Sequence, residues 1–163
     1  MGQRERLLLQ IAVLIHACGK FISVRNSNEC AYNIIMSTEI IGISHLEREI
    51  IANVVRYNIR DFDYNKVRME TELDAVTDSF GGQNEVMLLI AKLTAILRLA
   101  NSMDRGHGDK LADCKMAVKD GKLMITTDYP GDITLEAVSF EQKAAFFEEI
   151  FGIRPVLRHK KYS

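Results

Sequence analysis

The first residue with the chemistry of a metal or catalytic site is His16, in the stretch LIHACGKF. Divalent metal ions are bound by imidazole nitrogen and carboxylate oxygen, and one helix supplies both when aspartate directly follows histidine. Here Ala17 follows His16. The histidine therefore either belongs to a metal site that has lost a ligand, which Glu29 and Asp104 could still complete, or it packs as a partly buried side chain.

Other reactive side chains form no recognisable catalytic set. The three cysteines are widely separated and lack CxxC spacing, which favours neither a disulfide framework nor a zinc site. His107 lies between two glycines beside Arg105, either in a loop that faces phosphate or in a mobile connection between domains. Ser37, Thr38 and Ser79 have no recognisable base near them in sequence, so a hydrolase triad is unsupported.

The charge distribution is uneven although the net charge is only −1. Arg154, Arg158, Lys160 and Lys161 place four positive charges within the last ten residues. Such a basic end favours a polyanion or an acidic partner surface, with a simply solvated terminus as the alternative. Neither a membrane span nor a signal peptide is indicated, so we expect a cytoplasmic protein that does not contact a membrane.

Helical periodicity predicts the elements that would position these residues in the first two thirds of the chain. The first predicted helix covers residues 4–18 and ends at Gly19. Its apolar face is predicted to consist of Leu7, Leu8, Ile11, Leu14 and Ile15.

Further helices are predicted from the same period. A short one covers 29–37, and Ser44 with Glu47 forms a capping box for another over about 45–57. A weaker stretch over 67–76 is followed by Gly81-Gly82, and a helix of about five turns runs from Glu85 to Met103.

After Gly106 the period changes to that of strands. CKMAV and LMITT flank an Asp120-Gly121 turn and predict a hairpin, and ITLEAV predicts a third strand. Ser139 is predicted to cap a helix that ends at Gly152, before a last strand in RPVLRHK. The predicted fold is mostly α, with an all-α domain over 1–108 and a small α+β (βββαβ) domain over 109–163.

The order of these segments resembles the C-terminal half of the exopolyphosphatase and guanosine pentaphosphate phosphohydrolase family. The resemblance lies in LLLQIAVLIHACGKFI, in CAYNIIMSTEIIGIS followed by EREIIANVVRYN, and in KLTAILRLANSMDRGH. It implies that the helical domain is HD-like, meaning that it shares the fold of HD metal phosphohydrolases. It also implies that the family's two N-terminal domains, which hold the catalytic carboxylate, the phosphate loops and magnesium, are absent from this chain.

The resemblance also identifies positions where HD chemistry would be expected and is missing. They are His16 with Ala17, Asn58 where relatives often carry histidine, and Asn101 where the HD pattern has aspartate. The expectation is an HD-like helix without HD chemistry, with no catalytic residue, metal or cofactor in this chain.

In the family the long substrate is thought to run along the C-terminal domains. Spaced Lys and Arg side chains hold such a polyanion, with an affinity that falls as salt rises. The resemblance thus implies polyanion binding by Lys20, Arg25, Arg56, Arg98, Arg105, Arg154, Arg158, His159, Lys160 and Lys161. Scattered surface cations without a ligand are the alternative.

The resulting hypothesis is a non-catalytic module that binds polyphosphate or pppGpp and forms a homodimer, while the absent domains perform the hydrolysis. No nucleic acid is expected as a partner. A stand-alone HD-type metal phosphohydrolase and an interaction scaffold without ligand remain alternatives.

Overall fold

The computed structural model of the protein describes residues 1–70 and 82–160. The helices are α1 Gln3–Ile15, a 3-10 helix Cys18–Phe21, α2 Ser27–Ser37, α3 His45–Arg56, α4 Tyr64–Glu70, α5 Gln83–Met103 and α6 Thr134–Phe151. The strands are β1 Lys115–Lys119, β2 Lys122–Thr127 and β3 Arg154–His159. The prediction of a mostly α chain with a small α+β end is confirmed, whereas the HD-like relationship stays a prediction.

The chain forms two compact units, Met1–Leu97 and Arg98–Ser163. We call them the helical unit and the terminal unit, and the predicted division after residue 108 stays a prediction. The predicted breaker at Gly81 and the second half of the predicted helix over 67–76 lie outside the described residues.

The helical unit is built on α3, which both α1 and α2 contact. The predicted capping box is present: Ser44 Oγ accepts from the Glu47 amide at 3.2 Å, and the Glu47 carboxylate accepts from the Ser44 amide at 2.8 Å. Arg4 Nη2 also donates to Glu47 at 2.7 Å and thereby ties the start of α1 to the start of α3.

The first helix differs from its prediction. It ends at Ile15, and its fully buried residues are Leu8 and Ala12, whereas Leu14 of the predicted apolar face is 83% exposed. Gly19 does not stop α1 but lies inside the 3-10 helix, where a Cβ atom would stand 1.8 Å from the Ser27 carbonyl oxygen. The glycine is therefore required by close packing against α2.

The predicted long helix is confirmed as α5. An 18-residue window of α5 is apolar enough to cross a membrane, with a mean hydropathy of 1.6, and 61% of that window is buried within the protein. Burial of this extent is typical of a core helix.

In the terminal unit the predicted hairpin is confirmed. Asp120 and Gly121 both have positive φ, 52° and 69°, as a tight turn between antiparallel strands requires. β3 pairs with β2 in parallel, which gives the sheet the order β1-β2-β3.

The third predicted strand is wrong, because ITLEAV forms the first turns of α6. The N-cap of α6 is Ile133, six residues before the predicted cap, Ser139, and Asp132 Oδ1 accepts from the Thr134 amide at 3.0 Å. Glu136 and Phe140 are buried at helical spacing, so packing along one helix face overrides the local alternation. The predicted end of this helix at Gly152 is confirmed, with φ of 68°.

Candidate functional site

The sequence placed its candidate metal ligand at His16, and the structure places this residue at the C-terminal end of α1. His16 Nδ1 lies 2.7 Å from the Val13 carbonyl oxygen, which can only accept, so Nδ1 carries the proton. The neighbouring Ala17 supplies no ligand. Asn58 is 5% exposed and Asn101 is half-buried, and a neutral amide at either position is a weaker ligand for a hard cation than a carboxylate.

The carboxylate of Glu29, which could have completed a metal site, is bound by two arginines. Arg56 reaches it with two bonds, Nε to Oε1 at 2.9 Å and Nη2 to Oε2 at 2.8 Å, and Arg60 contacts the same Oε1. The Arg56 guanidinium also stacks on the Tyr32 ring, 4.6 Å from its centre. The carboxylate that a metal ion would need as a ligand is therefore already paired with arginine side chains.

Electrostatics keep this carboxylate ionised. Burial alone would raise the pKa of Glu29, but the hydrogen bond from Arg56 and the charges of Arg56 and Arg60 outweigh burial, so its pKa is lowered. Asp104, the other candidate carboxylate, lies 3.5 Å from the exposed His107. Within residues 1–70 and 82–160, no group of three or more His, Cys, Asp or Glu side chains is arranged to hold a metal. These residues do not fit the divalent ion of an HD site.

The loop between α5 and β1 is held by Glu136, a residue that sequence reasoning did not single out. This carboxylate is 1% exposed, accepts from the Gly106 amide at 3.1 Å and pairs with Lys110 Nζ at 3.2 Å. A Cβ atom on Gly106 would stand 2.6 Å from Glu136 Oε1, which explains the glycine. Glu136 thus fixes the loop that exposes Arg105 and His107.

Two of the ten predicted polyanion-binding residues are buried. Arg56 and Arg98 are each 6% exposed, and the Arg98 guanidinium stacks over Phe146 at 4.6 Å. A polymer outside the protein does not reach side chains at this depth. Their guanidinium groups contact side chains inside the protein instead.

The remaining predicted cations that the structure describes lie at or near the surface. Arg154 binds the Glu148 and Glu141 carboxylates, which hold its pKa above the ordinary value. His159 Nε2 lies 2.6 Å from the Tyr129 carbonyl oxygen. Lys161 lies outside the described residues, and the exposed members of the set are Lys20, Arg25, Arg105, Arg158 and Lys160.

Three exposed lysines in the hairpin were missed. Lys115, Lys119 and Lys122 share one face of the sheet with Arg158. The period of two in β1 and β2 was the signal that could have found them, because it places alternate residues on one side.

A cleft of about 730 Å³ opens beside the start of α6. It is lined by basic His159 and Lys160 and by acidic Asp132. The hydrogen bonds from the Thr134 side chain and backbone lower the pKa of Asp132, so a carboxylate already accepts from the first residue of α6. An anion entering the cleft would meet this negative charge.

Large apolar side chains are exposed at the end of α1 and around the 3-10 helix. Leu14, Phe21 and Val24 are 83%, 95% and 82% exposed, and Ile22 is 67% exposed. We call these four residues the apolar patch. Its position in the helical unit is suited to burial against another protein surface.

Comparison with known proteins gives one family. The profile of Ppx/GppA phosphatase, domain III, matches residues 1–143. No curated protein matches the chain. The matched segment contains the whole helical unit, the hairpin and the first half of α6, and residues 144–163 lie beyond it.

Proposed function

This chain belongs to the Ppx/GppA phosphatase family as its domain III, and on that premise we propose that it is a non-catalytic module that binds a phosphate polymer and self-associates. The observation that carries the proposal is a family domain with several exposed cations that make no ion pair or side-chain hydrogen bond within residues 1–70 and 82–160. In this proposal other domains of the family perform the phosphoanhydride hydrolysis, with magnesium.

The non-catalytic part of the proposal is supported by the chemistry around His16. Phosphoryl transfer requires groups that position water and stabilise charge on the transferred phosphoryl group. Glu29, the nearest candidate in sequence, is bound by Arg56 and Arg60, and Ala17 and Asn58 offer no anionic ligand. Hydrolysis by this chain alone is therefore not expected.

The binding part is supported by Arg158 and Lys160 near the end of the chain and by the exposed loop residue Arg105. Spaced cations bind a phosphate polymer by charge and release its counterions, so the affinity falls as salt rises. The same surface chemistry serves polyphosphate and the phosphates of pppGpp, and the length of the bound chain distinguishes the two.

The binding experiment titrates the chain with long-chain polyphosphate at several salt concentrations and follows free phosphate in the same samples with magnesium present. We expect salt-dependent binding and no phosphate release. Salt-independent failure to bind would favour a ligand-free scaffold and refute the proposal. Magnesium-dependent phosphate release that is lost in the His16→Ala variant would favour a stand-alone metal phosphohydrolase and also refute it.

Self-association is supported by the apolar patch. Four large apolar side chains are exposed there within a short stretch of sequence, and burying them against a second copy of the chain would remove them from water. We expect a dimer at tens of micromolar by sedimentation, and a monomer for the Phe21→Ser variant. Ile41→Ser is the control, since Ile41 is also fully exposed but lies in the loop before α3. A wild-type monomer, or an equal loss of dimer in the control, would refute self-association through this patch.

A further inference from the structure

We propose that the open face of the three-stranded sheet is the contact surface for a long phosphate chain, an inference that rests on the proposed function and locates it. The register aligns three rows across β1, β2 and β3 on this face. The rows are Lys115-Thr126-Arg158, Ala117-Met124-Val156 and Lys119-Lys122-Arg154. Five of these nine residues are basic and none is acidic, and we call the nine the basic sheet face.

The basic sheet face is open to solvent. Lys115, Lys119 and Lys122 are exposed, as is Arg158. The opposite face of the same strands contains the buried Ile125 and Pro155. Alternation along β2 and β3 therefore separates a buried face from the face with cations, whereas Met116 and Val118 of the edge strand β1 are exposed on the opposite face.

Four of the five basic residues of this face have no compensating charge among the described residues. Over the part of the chain that the structure describes, Lys115, Lys119, Lys122 and Arg158 make no ion pair and no side-chain hydrogen bond. Arg154 is the exception, since Glu141 and Glu148 bind it. Four cations remain available to an external anion.

Placing these cations together is unfavourable without a ligand. Lys119 lies directly opposite Lys122, which is also the direct neighbour of Arg154 across the other strand, and like charges in such pairs destabilise a sheet. Lysines on β1 protect an edge strand from pairing with other chains. That role does not explain Lys122, which lies on the central strand, whereas an anion bound to this face does.

The arrangement of the rows favours a long phosphate chain. The two basic rows are four residues apart along the strands, about 13 Å, so a single phosphate group cannot contact both. The middle row is small and apolar, and no aromatic side chain lies on the face to stack on a nucleic-acid base. A polyanion without bases, long enough to bridge both rows, fits this surface.

The test measures binding of long-chain polyphosphate and of tripolyphosphate to the full chain and to the variant Lys115→Gln/Lys122→Gln, which removes one cation from each basic row. We expect affinity for the long chain to fall on the order of tenfold at low salt and the slope of log K against log salt to decrease by about 1.4, or 0.7 per lost contact. Affinity for tripolyphosphate is expected to be weak in both proteins.

The control Arg6→Gln/Lys92→Gln removes the same charge from α1 and α5 in the helical unit, and we expect less than a twofold change. Circular dichroism and the melting temperature of both variants show whether the fold is kept. We expect the sheet variant to melt no lower than the wild type, because the substitution at Lys122 relieves repulsion.

The outcomes separate this inference from the proposed function. If the wild-type chain does not bind long polyphosphate, the proposed function fails and this inference fails with it. If the wild type binds and the sheet variant binds equally well, or both variants weaken equally, the sheet location is overturned while polymer binding stands. Tighter binding of an oligothymidylate of the same charge would overturn the choice of a polyanion without bases.

Discussion

Replacing Glu29 by glutamine tests whether an ion pair, rather than a metal, stabilises the region around α2 and α3. The change leaves the Arg56 guanidinium, 7% exposed as a side chain, without the carboxylate that accepts its bonds at 2.8 and 2.9 Å. Removing one partner of a buried ion pair costs about 3–5 kcal/mol. Because the Glu29 side chain is 20% exposed and water can partly replace it, we expect the free energy of unfolding to fall by about 3 kcal/mol at pH 7.

The stability lost in Glu29→Gln relative to the wild type should depend on pH. The pKa of Glu29 is lower in the folded state, so its contribution to stability is complete above the unfolded value, about 4.3, and is lost as the pH falls through the folded value. Urea unfolding at pH 7 and at a pH below the unfolded value measures the difference between wild type and Glu29→Gln. The difference should be largest at pH 7 and smaller in acid.

The matched control is Glu39→Gln, at an exposed glutamate that makes no ion pair within the described residues. It should change the free energy of unfolding by no more than about 0.5 kcal/mol. A difference below about 1 kcal/mol for Glu29→Gln at pH 7 would show that the pair does not stabilise the unit as the geometry requires. A difference that is equal at both pH values would show that ionisation of this carboxyl is not its source.

Three further outcomes follow from the packing. Gly19→Ala should lower the free energy of unfolding by about 1–3 kcal/mol, because its Cβ would overlap the Ser27 carbonyl. Gly2→Ala is the control, since a Cβ there meets no atom within 4 Å. Equal melting temperatures for the two variants would contradict this prediction. Asp132→Ala should cost about 1 kcal/mol through loss of the hydrogen bonds that Thr134 donates to its carboxylate, and unchanged urea unfolding would contradict it. EDTA should leave the melting temperature of the purified chain unchanged, and a fall of several degrees would reveal a bound metal.

The sequence predicted those features whose cause is local. The capping box at Ser44, the Asp120-Gly121 turn and the left-handed end of α6 at Gly152 each depend on hydrogen bonds or backbone angles within a few residues. The period of α5 likewise needs no distant partner. The absence of aspartate after His16 could also be read directly from the chain.

Tertiary structure decided the features whose partners are distant in sequence. Arg56, which was predicted to bind a polyanion, instead forms a buried ion pair with the carboxylate of Glu29, 27 residues away in sequence. The start of α6 depended on burial of Glu136, which overrode the alternation that suggested a strand. Arg158 joins the lysines of the hairpin on the basic sheet face because β3 pairs in parallel with β2 and brings Arg158 beside Thr126. No local pattern specifies this register, since parallel strands are joined through a helix rather than through a turn.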